Sequence, residues 1–217
     1  MFIGHFAVGF AAKRWAPRSN LGVLLLAPLL LDFLWPLFVL AGIEHFQITP
    51  SGNPFLTLSF TSYPWSHSLL LAAGWALLFA LLYRWGGGAP RTALILALGV
   101  VSHWVLDWIT HRPDLPLWPG GPLVGLGLWR SAPSTIAVES TLLLLGGGLY
   151  LRATRARDAL GRLGPWGYLL LLAALYLLSI VGPPPPAGAQ RMVAVLALLA
   201  VLLVPLAGWI DRHRLAT

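Results

Sequence analysis

The chain has 217 residues, 58% of them hydrophobic and only 10% charged, with a mean hydropathy of +0.78. Soluble domains carry roughly 25% charged residues, so this composition excludes an ordinary soluble domain and defines an integral membrane protein. The formal net charge is +7 and cysteine is absent. Disulfides are therefore excluded, and the redox compartment is left undetermined.

Apolar stretches fall at 2–12, 21–43, 66–84, 92–110, 134–152, 165–182 and 191–210. Each of the last six is near the ~20 residues that cross a bilayer as a helix. They predict an all-α, polytopic transmembrane helical bundle of six spans, forming one integral membrane domain over 1–217. The short first segment, extended to about residue 16, adds a seventh span if it also crosses. It has no basic region ahead of its apolar run, and Lys13, Arg14 and Arg18 follow it, which is the wrong order for a signal peptide.

Within this apolar frame the polar residues stand out in chain order. His5 lies in the first segment. Asp32 sits in the middle of the 21–43 span, one turn before Pro36, which loosens the helix and frees a carbonyl. Pro64 and Ser66 suit a helix start, and His67 begins the third apolar segment. Gly86, Gly87 and Gly88 form a turn. Residues 102–114 read SHWVLDWITHRPD and place His103, Asp107 and His111 at four-residue intervals, on one stripe of a helix. Glu139 follows Pro133 by under two turns, and Gly146, Gly147 and Gly148 permit close helix contact within that span. The two later spans, 165–182 and 191–210, are generic and are joined by the stiff Pro183–Pro186 linker.

The basic residues follow topology. If the spans alternate, eleven of the fourteen (Lys13, Arg14, Arg18, Arg84, Arg91, Arg152, Arg155, Arg157, Arg162, Arg212 and Arg214) fall on one side, and only Arg112, Arg130 and Arg191 on the other. The positive-inside rule makes the first side cytoplasmic. The C-terminus is then cytoplasmic in a cell (inner) membrane, the 44–64 and 111–132 loops face outward, and no role with nucleic acid is implied. Trp15, Trp85, Trp166 and Trp209 near one boundary, with Trp65, Trp108, Trp118 and Trp129 near the other, form aromatic belts. Trp35, Trp75 and Trp104 lie deeper, as packing residues.

With this topology His5, Asp32, His67, His103, Asp107, His111 and Glu139 can all meet in the outer half of the bundle. Ionisable groups at membrane depth cost several kcal/mol unless paired, hydrated or bound to metal, and imidazole with carboxylate is the usual ligand set of Zn, Mn or Fe. His5, Asp32, His67, His103 and Asp107 are the expected ligands of a divalent ion, zinc first and Mn, Fe or Mg after it. His111 lies about 12 Å from His103 along an ideal helix, too far to share its ion unless Pro113 unwinds the helix end. A second ion or an outer supporting role also fits His111. Glu139 and His111 are the candidate general bases. Arg112 and Arg130, against the charge trend, suit phosphate contact or headgroup anchoring. Asp158 and Asp211 read as solvated loop residues, Glu44 and His45 as interfacial, and Asp114 as shaping its loop.

Gly4-His5, Asp32, SHS at 66–68 and SHWVLDWITHRPDLPLWP at 102–119 resemble the YdjM-like family of membrane-bound metal-dependent hydrolases, and GLGLW at 125–129 with Glu139 is similar to its close relatives. The resemblance covers roughly residues 1–152, the motif-bearing core, and leaves 165–210 as two additional helices. It implies that His5, Asp32, His67, His103 and Asp107 occupy the family's polar motif positions. Relatives often carry Pro-Asp-x-Asp, whereas Leu31 and Leu34 flank Asp32 here, which implies one ligand fewer. The order His, Asp, His, His-x3-Asp and a later Glu is also similar to that of zinc-dependent phospholipases C, which are helical and bind several zinc ions. The expectation is a hydrolase of a lipid or lipid-linked, phosphate-bearing substrate, with the bilayer as its other partner. A metal-ion or proton transporter and a non-catalytic structural metal site are the alternatives. The inner halves of the last two spans hold no ionisable residue to extend a transport path.

Overall fold

The computed structural model describes residues 1–49 and 51–217. Its helices begin where the sequence supplies acceptors for the first free N–H groups. After α1 (Ile3–Ala12), α2 (Leu21–Leu40) starts on Asn20, whose side-chain oxygen accepts from the Gly22 N–H at 2.9 Å. The single turn α3 (Pro64–His67) leads into α4 (Leu69–Trp85), capped by the Ser68 hydroxyl. Proline at the first turn opens α5 (Pro90–Thr110), and Ser131 caps α6 (Ala132–Ala153). Asp158 caps α7 (Ala159–Val181) by accepting from the Gly161 N–H at 2.8 Å. The last apolar stretch is α8 (Gln190–Leu199), a 3₁₀ turn at Ala200–Leu202, and α9 (Leu203–Arg212). Pro205 has no N–H to give the Val201 carbonyl, which accounts for the loosened turn.

Three short antiparallel pairs close the loops: β1 (His45–Ile48) with β2 (Leu58–Ser62), β3 (Leu115–Pro116) with β4 (Leu123–Val124), and β5 (Thr154–Ala156) with β6 (Arg214–Ala216). They serve as clasps at the ends of a helical bundle.

Among the described residues five helical stretches, not the six expected, are long and apolar enough to cross a membrane: Leu21–Leu40, Pro90–Thr110, Ala132–Ala153, Ala159–Val181 and Gln190–Arg212. The chain is thus mostly helical and membrane-like, as expected. At 17 residues α4 is shorter, and α1 has only 10. At 1.5 Å per residue α1 is about 15 Å long, half a hydrocarbon core. It is a buried interior helix: Ile3, His5, Phe6 and Phe10 are all 1% exposed or less. It lies so close to α6 that a Cβ at Gly146 would collide with the Ala7 backbone. The glycine-rich part of α6 therefore serves close helix contact, as the sequence suggested.

Two apolar clusters surround α1 and α2. One joins Phe6 and Phe10 to Leu25, Tyr150, Leu172 and Leu203, and the other packs Leu31 and Trp35 against Ala72, Leu96, Val100 and Trp104. Because α2 supplies both, it is the central post of the bundle, and the buried Trp35 and Trp104 are packing residues as expected.

At one end of the bundle the reading of Asp211 needs correction. It is 5% exposed, not solvated. Its Oδ2 accepts from Lys13 Nζ at 2.5 Å and from the Leu21 N–H at 2.9 Å, and its Oδ1 accepts from the Tyr150 hydroxyl at 3.0 Å. The sequence hid this because the partners lie on α6 and at the junction of α1 and α2. Asp211→Asn leaves Lys13 as a buried, unpaired cation and should cost about 3–5 kcal/mol. Thermal unfolding in detergent should register the loss, and much of it should return in Lys13→Met/Asp211→Leu.

The connections segregate by end as an alternating topology requires. Ser19 meets Thr92 at 3.2 Å and β5 pairs with β6 at the same end as Lys13 and Asp211, whereas Ser51, Trp129 and Pro183 wall one cavity at the other. With eleven basic residues assigned to the first end, that end should be cytoplasmic. In intact cells an impermeant thiol reagent should label Gly120→Cys and spare Thr217→Cys; the reverse pattern would invert the arrangement.

Candidate metal centre

The helix α5 brings His103 and Asp107 to the bundle interior, one turn apart, with their facing atoms His103 Nε2 and Asp107 Oδ2 3.0 Å apart. Around them α3 contributes His67, whose Nε2 lies 3.2 Å from His103 Nε2 and 3.7 Å from Asp107 Oδ2. From α2, Asp32 Oδ1 lies 3.7 Å from His67 Nε2 and 3.8 Å from His103 Nε2. From α1, His5 Nε2 lies 3.2 Å from Asp107 Oδ1, and the His5 ring stacks on that of His103 at 3.8 Å and 6°. All five expected ligands therefore converge, in two overlapping groups that share His103: His5 with His103 and Asp107, and Asp32 with His67 and His103.

The outer nitrogens fix what the inner ones can do. His103 Nδ1 is 2.7 Å from the Pro28 carbonyl, which can only accept, so Nδ1 carries a proton and Nε2 is the nitrogen turned toward the cluster. His67 Nδ1 is 2.7 Å from Ser66 Oγ, whose own hydroxyl donates to Glu44 Oε2 at 2.6 Å. Oγ is then the acceptor for the Nδ1–H of His67, and Nε2 is again the nitrogen that faces the cluster. Two such nitrogens beside two carboxylates are the kind of buried group that could hold a metal ion.

The spacing tests which cation fits. Ligand atoms held at 2.0–2.1 Å around a tetrahedral ion stand about 3.3 Å apart. The separations among His67 Nε2, His103 Nε2, Asp107 Oδ2 and Asp32 Oδ1 given above run from 3.0 to 3.8 Å. The groups His5–His103–Asp107 and Asp32–His67–His103 could each hold a metal ion.

His5 has a different posture. Its Nε2 faces a carboxylate oxygen, while its Nδ1 is buried without a hydrogen-bond partner among the described residues. In this arrangement Nε2–H donates to Asp107 and orients it. The Met1 α-amino group donates to the same Asp107 oxygen at 2.5 Å.

His111 reaches the cluster because the helix ends before it. The α5 ladder stops at Thr110, and His111 is extended (φ −65°, ψ 151°), its N–H donating to the Asp107 carbonyl at 2.7 Å. This unwinding, which the sequence admits only as the exception, leaves His111 Nε2 3.9 Å from Asp107 Oδ2. Asp114, 3.0 Å from His111 Nδ1, holds the outer side together with the Tyr63 hydroxyl, which donates to Asp114 at 3.1 Å. Burial and the Asp114 carboxylate push the Tyr63 phenol well above its ordinary value, so it stays a donor. The loop returns tightly along this corner: a Cβ at Gly125 would collide with the Arg112 carbonyl.

Glu139 lies at the opposite edge. Its Oε2 accepts from the Phe2 and Gly4 N–H groups at 2.8 and 3.2 Å, capping α1 from α6. It also lines a cavity of about 450 Å³ at the loop end of the bundle, with Phe55, Trp129 and Tyr176. The two arginines are not gathered into the cluster. Arg112 bonds weakly to the Leu58 carbonyl at 3.4 Å and approaches Asp114 at 3.6 Å, and Arg130 is exposed.

Sequence reasoning missed Glu44 and Ser66 as parts of the site. Glu44 is 2% exposed, and its Oε1 accepts from the Trp65 and Ser66 N–H groups, both at 2.8 Å. Burial pushes its carboxyl up, against the lowering effect of these donors. The SHS string was a usable signal for Ser66; nothing local marked Glu44, which lies 22 residues away in sequence.

No family model, curated protein or solved structure matches the chain. The buried His/Asp cluster itself, within a helical membrane-like bundle, is what defines the molecule.

Outer partners of metal-binding histidines typically contribute 10–100-fold in affinity. Ser66→Ala and Glu44→Gln should therefore each weaken metal retention about 10–100-fold in a chelator competition. Helix content should be unchanged by circular dichroism.

Proposed function

We propose that the chain is a membrane-embedded, metal-dependent hydrolase acting on a lipid or lipid-linked, phosphate-bearing substrate. The observation that carries this reading is the facing pair His67 Nε2 and His103 Nε2, 3.2 Å apart, each with its outer nitrogen committed to an acceptor and each beside an aspartate. Such a constellation is costly to bury and is ordered from outside, as binding sites are.

In this reading His67, His103, Asp107 and Asp32 hold the ion, zinc first for two imidazoles and two carboxylates. His5 orients Asp107 and shields one side of His103. A divalent ion in such a set acidifies a water molecule and polarises a phosphoryl or carbonyl oxygen. Hydrolysis puts the water's oxygen on phosphorus or the carbonyl carbon and its proton on the departing oxygen. Glu139, with one oxygen spent on capping α1 and the other left over, is the candidate carrier of that proton. His111 already accepts support from Asp114 and Tyr63, which suits it to holding Asp107 and the substrate side of the cluster. Arg112 and Arg130 would meet a phosphate at the loop end. The resemblance to the YdjM-like hydrolases points the same way.

Protein purified without chelator should contain about one or two equivalents of a transition metal, most of it zinc, and His103→Ala or Asp107→Ala should lose it. Glu139→Gln should keep the metal and lose turnover of phosphate-bearing lipids presented in mixed micelles. Metal-free wild type by mass spectrometry, with the two Ala variants as stable as wild type, would overturn the assignment.

A further inference from the structure

Asp32 differs from its neighbours on α2. Leu31 and Phe33 are 0% and 9% exposed, yet the Asp32 side chain keeps 41% of its surface open. A carboxylate in mid-span does not open onto hydrocarbon without a cost of several kcal/mol. What it opens onto is a recess of about 200 Å³ between α2 and the last helix, walled by Phe6, Leu29, Phe33, Trp35, Ala197 and Ala200. Asp32 is its single ionisable side chain among the described residues.

The far wall is built differently from the rest of that helix. Ala197 and Ala200 present only methyl groups to the recess, and beside them the helix loosens into the 3₁₀ turn at Ala200–Leu202. A 3₁₀ stretch inside a helix often marks a functional hinge. Around the same turns Val195, Leu196 and Leu199 are 47%, 58% and 53% exposed, so an exposed apolar surface lies beside the recess wall. Inward, it shares Met1 and Phe2 as walls with the larger cavity that reaches Glu139. The larger cavity is lined by residues of the loop end, and the carboxylate of the candidate metal centre stands in the smaller recess.

We propose that the recess between α2 and the α8–α9 break is a binding site for one alkyl chain of an amphiphile, seated from the lipid side with its polar head drawn toward Asp32. Apolar walls select a hydrocarbon chain, and the exposed apolar surface beside Ala197 and Ala200 would let it enter from the lipid side without crossing water. The polar end of the recess favours an amphiphile over a plain hydrocarbon. Only the fate of the head, hydrolysis at the cluster, rests on the reading proposed above; the seating of the chain does not.

The test uses the full-length protein in phosphatidylcholine vesicles containing a trace of phosphatidylglycerol with a diazirine in the middle of one acyl chain. After irradiation, adducts mapped by peptide mass spectrometry should concentrate on Leu29, Phe33 and Ala197. They should exceed those on Leu170 and Leu177 of α7, which are 70% and 58% exposed and report ordinary lipid contact. Ala197→Phe and, independently, Ala200→Leu should abolish the recess adducts and leave those on α7, with metal content as in wild type. Recess adducts no denser than those on α7, or unaffected by both substitutions in protein of normal metal content, would overturn the proposal. Recess adducts in a protein that binds no metal would sustain it while removing the hydrolase reading.

Discussion

A carboxylate buried in the middle of an apolar bundle has to be surrounded by donors or cations, and the arrangement of this protein follows from meeting that requirement at Asp107. The side chain is 2% exposed. Its two oxygens divide the work: Oδ1 takes the Met1 amine and His5, and Oδ2 faces His103, His67 and, farther off, His111. Those partners come from the N-terminal segment, α1, α3, α5 and the unwound end of α5. A short helix such as α1 has little stability of its own, and two carboxylates, Asp107 and Glu139, hold its first turn inside the bundle. Fold and site are therefore one problem here, because the polar cluster locates the helix that would otherwise have no reason to enter the core.

Interruptions in the helices then decide where the other groups stand. Pro64 opens the single turn that presents His67, and α5 ends at Thr110 in time for His111 to turn inward. Irregular backbone at membrane depth is tolerated where protein surrounds it, and each of these departures from regular helix sits beside the cluster. The same logic operates at the other end without chemistry: Lys13 and Asp211 tie the end of α1 to the end of α9, a neutral and fully bonded knot.

Much of this was legible in the sequence because helices convert spacing into direction. The four-residue interval of His103 and Asp107 aimed both at one place, and isolated polar residues in apolar stretches, His5, Asp32 and His67, had few destinations other than one another. What stayed hidden depended on pairing across long separations. Glu44 and Asp211 looked like boundary residues because their partners, Ser66 in one case and Lys13 with Tyr150 in the other, are adjacent only after the bundle closes. Length misled as well: α1 is as apolar as a span, but hydropathy does not distinguish a helix surrounded by lipid from one surrounded by protein.

The two ends of the last helix are held unequally. At one end β6 pairs with β5, and the Arg214 guanidinium bonds to Thr154 and to the Gly161 carbonyl, fastening α9 to the start of α7. At the other, α8 begins after a proline-rich connection that contributes no paired strand among the described residues. What holds α8 is therefore not a strand clasp but its packing along α2, the helix that carries Asp32.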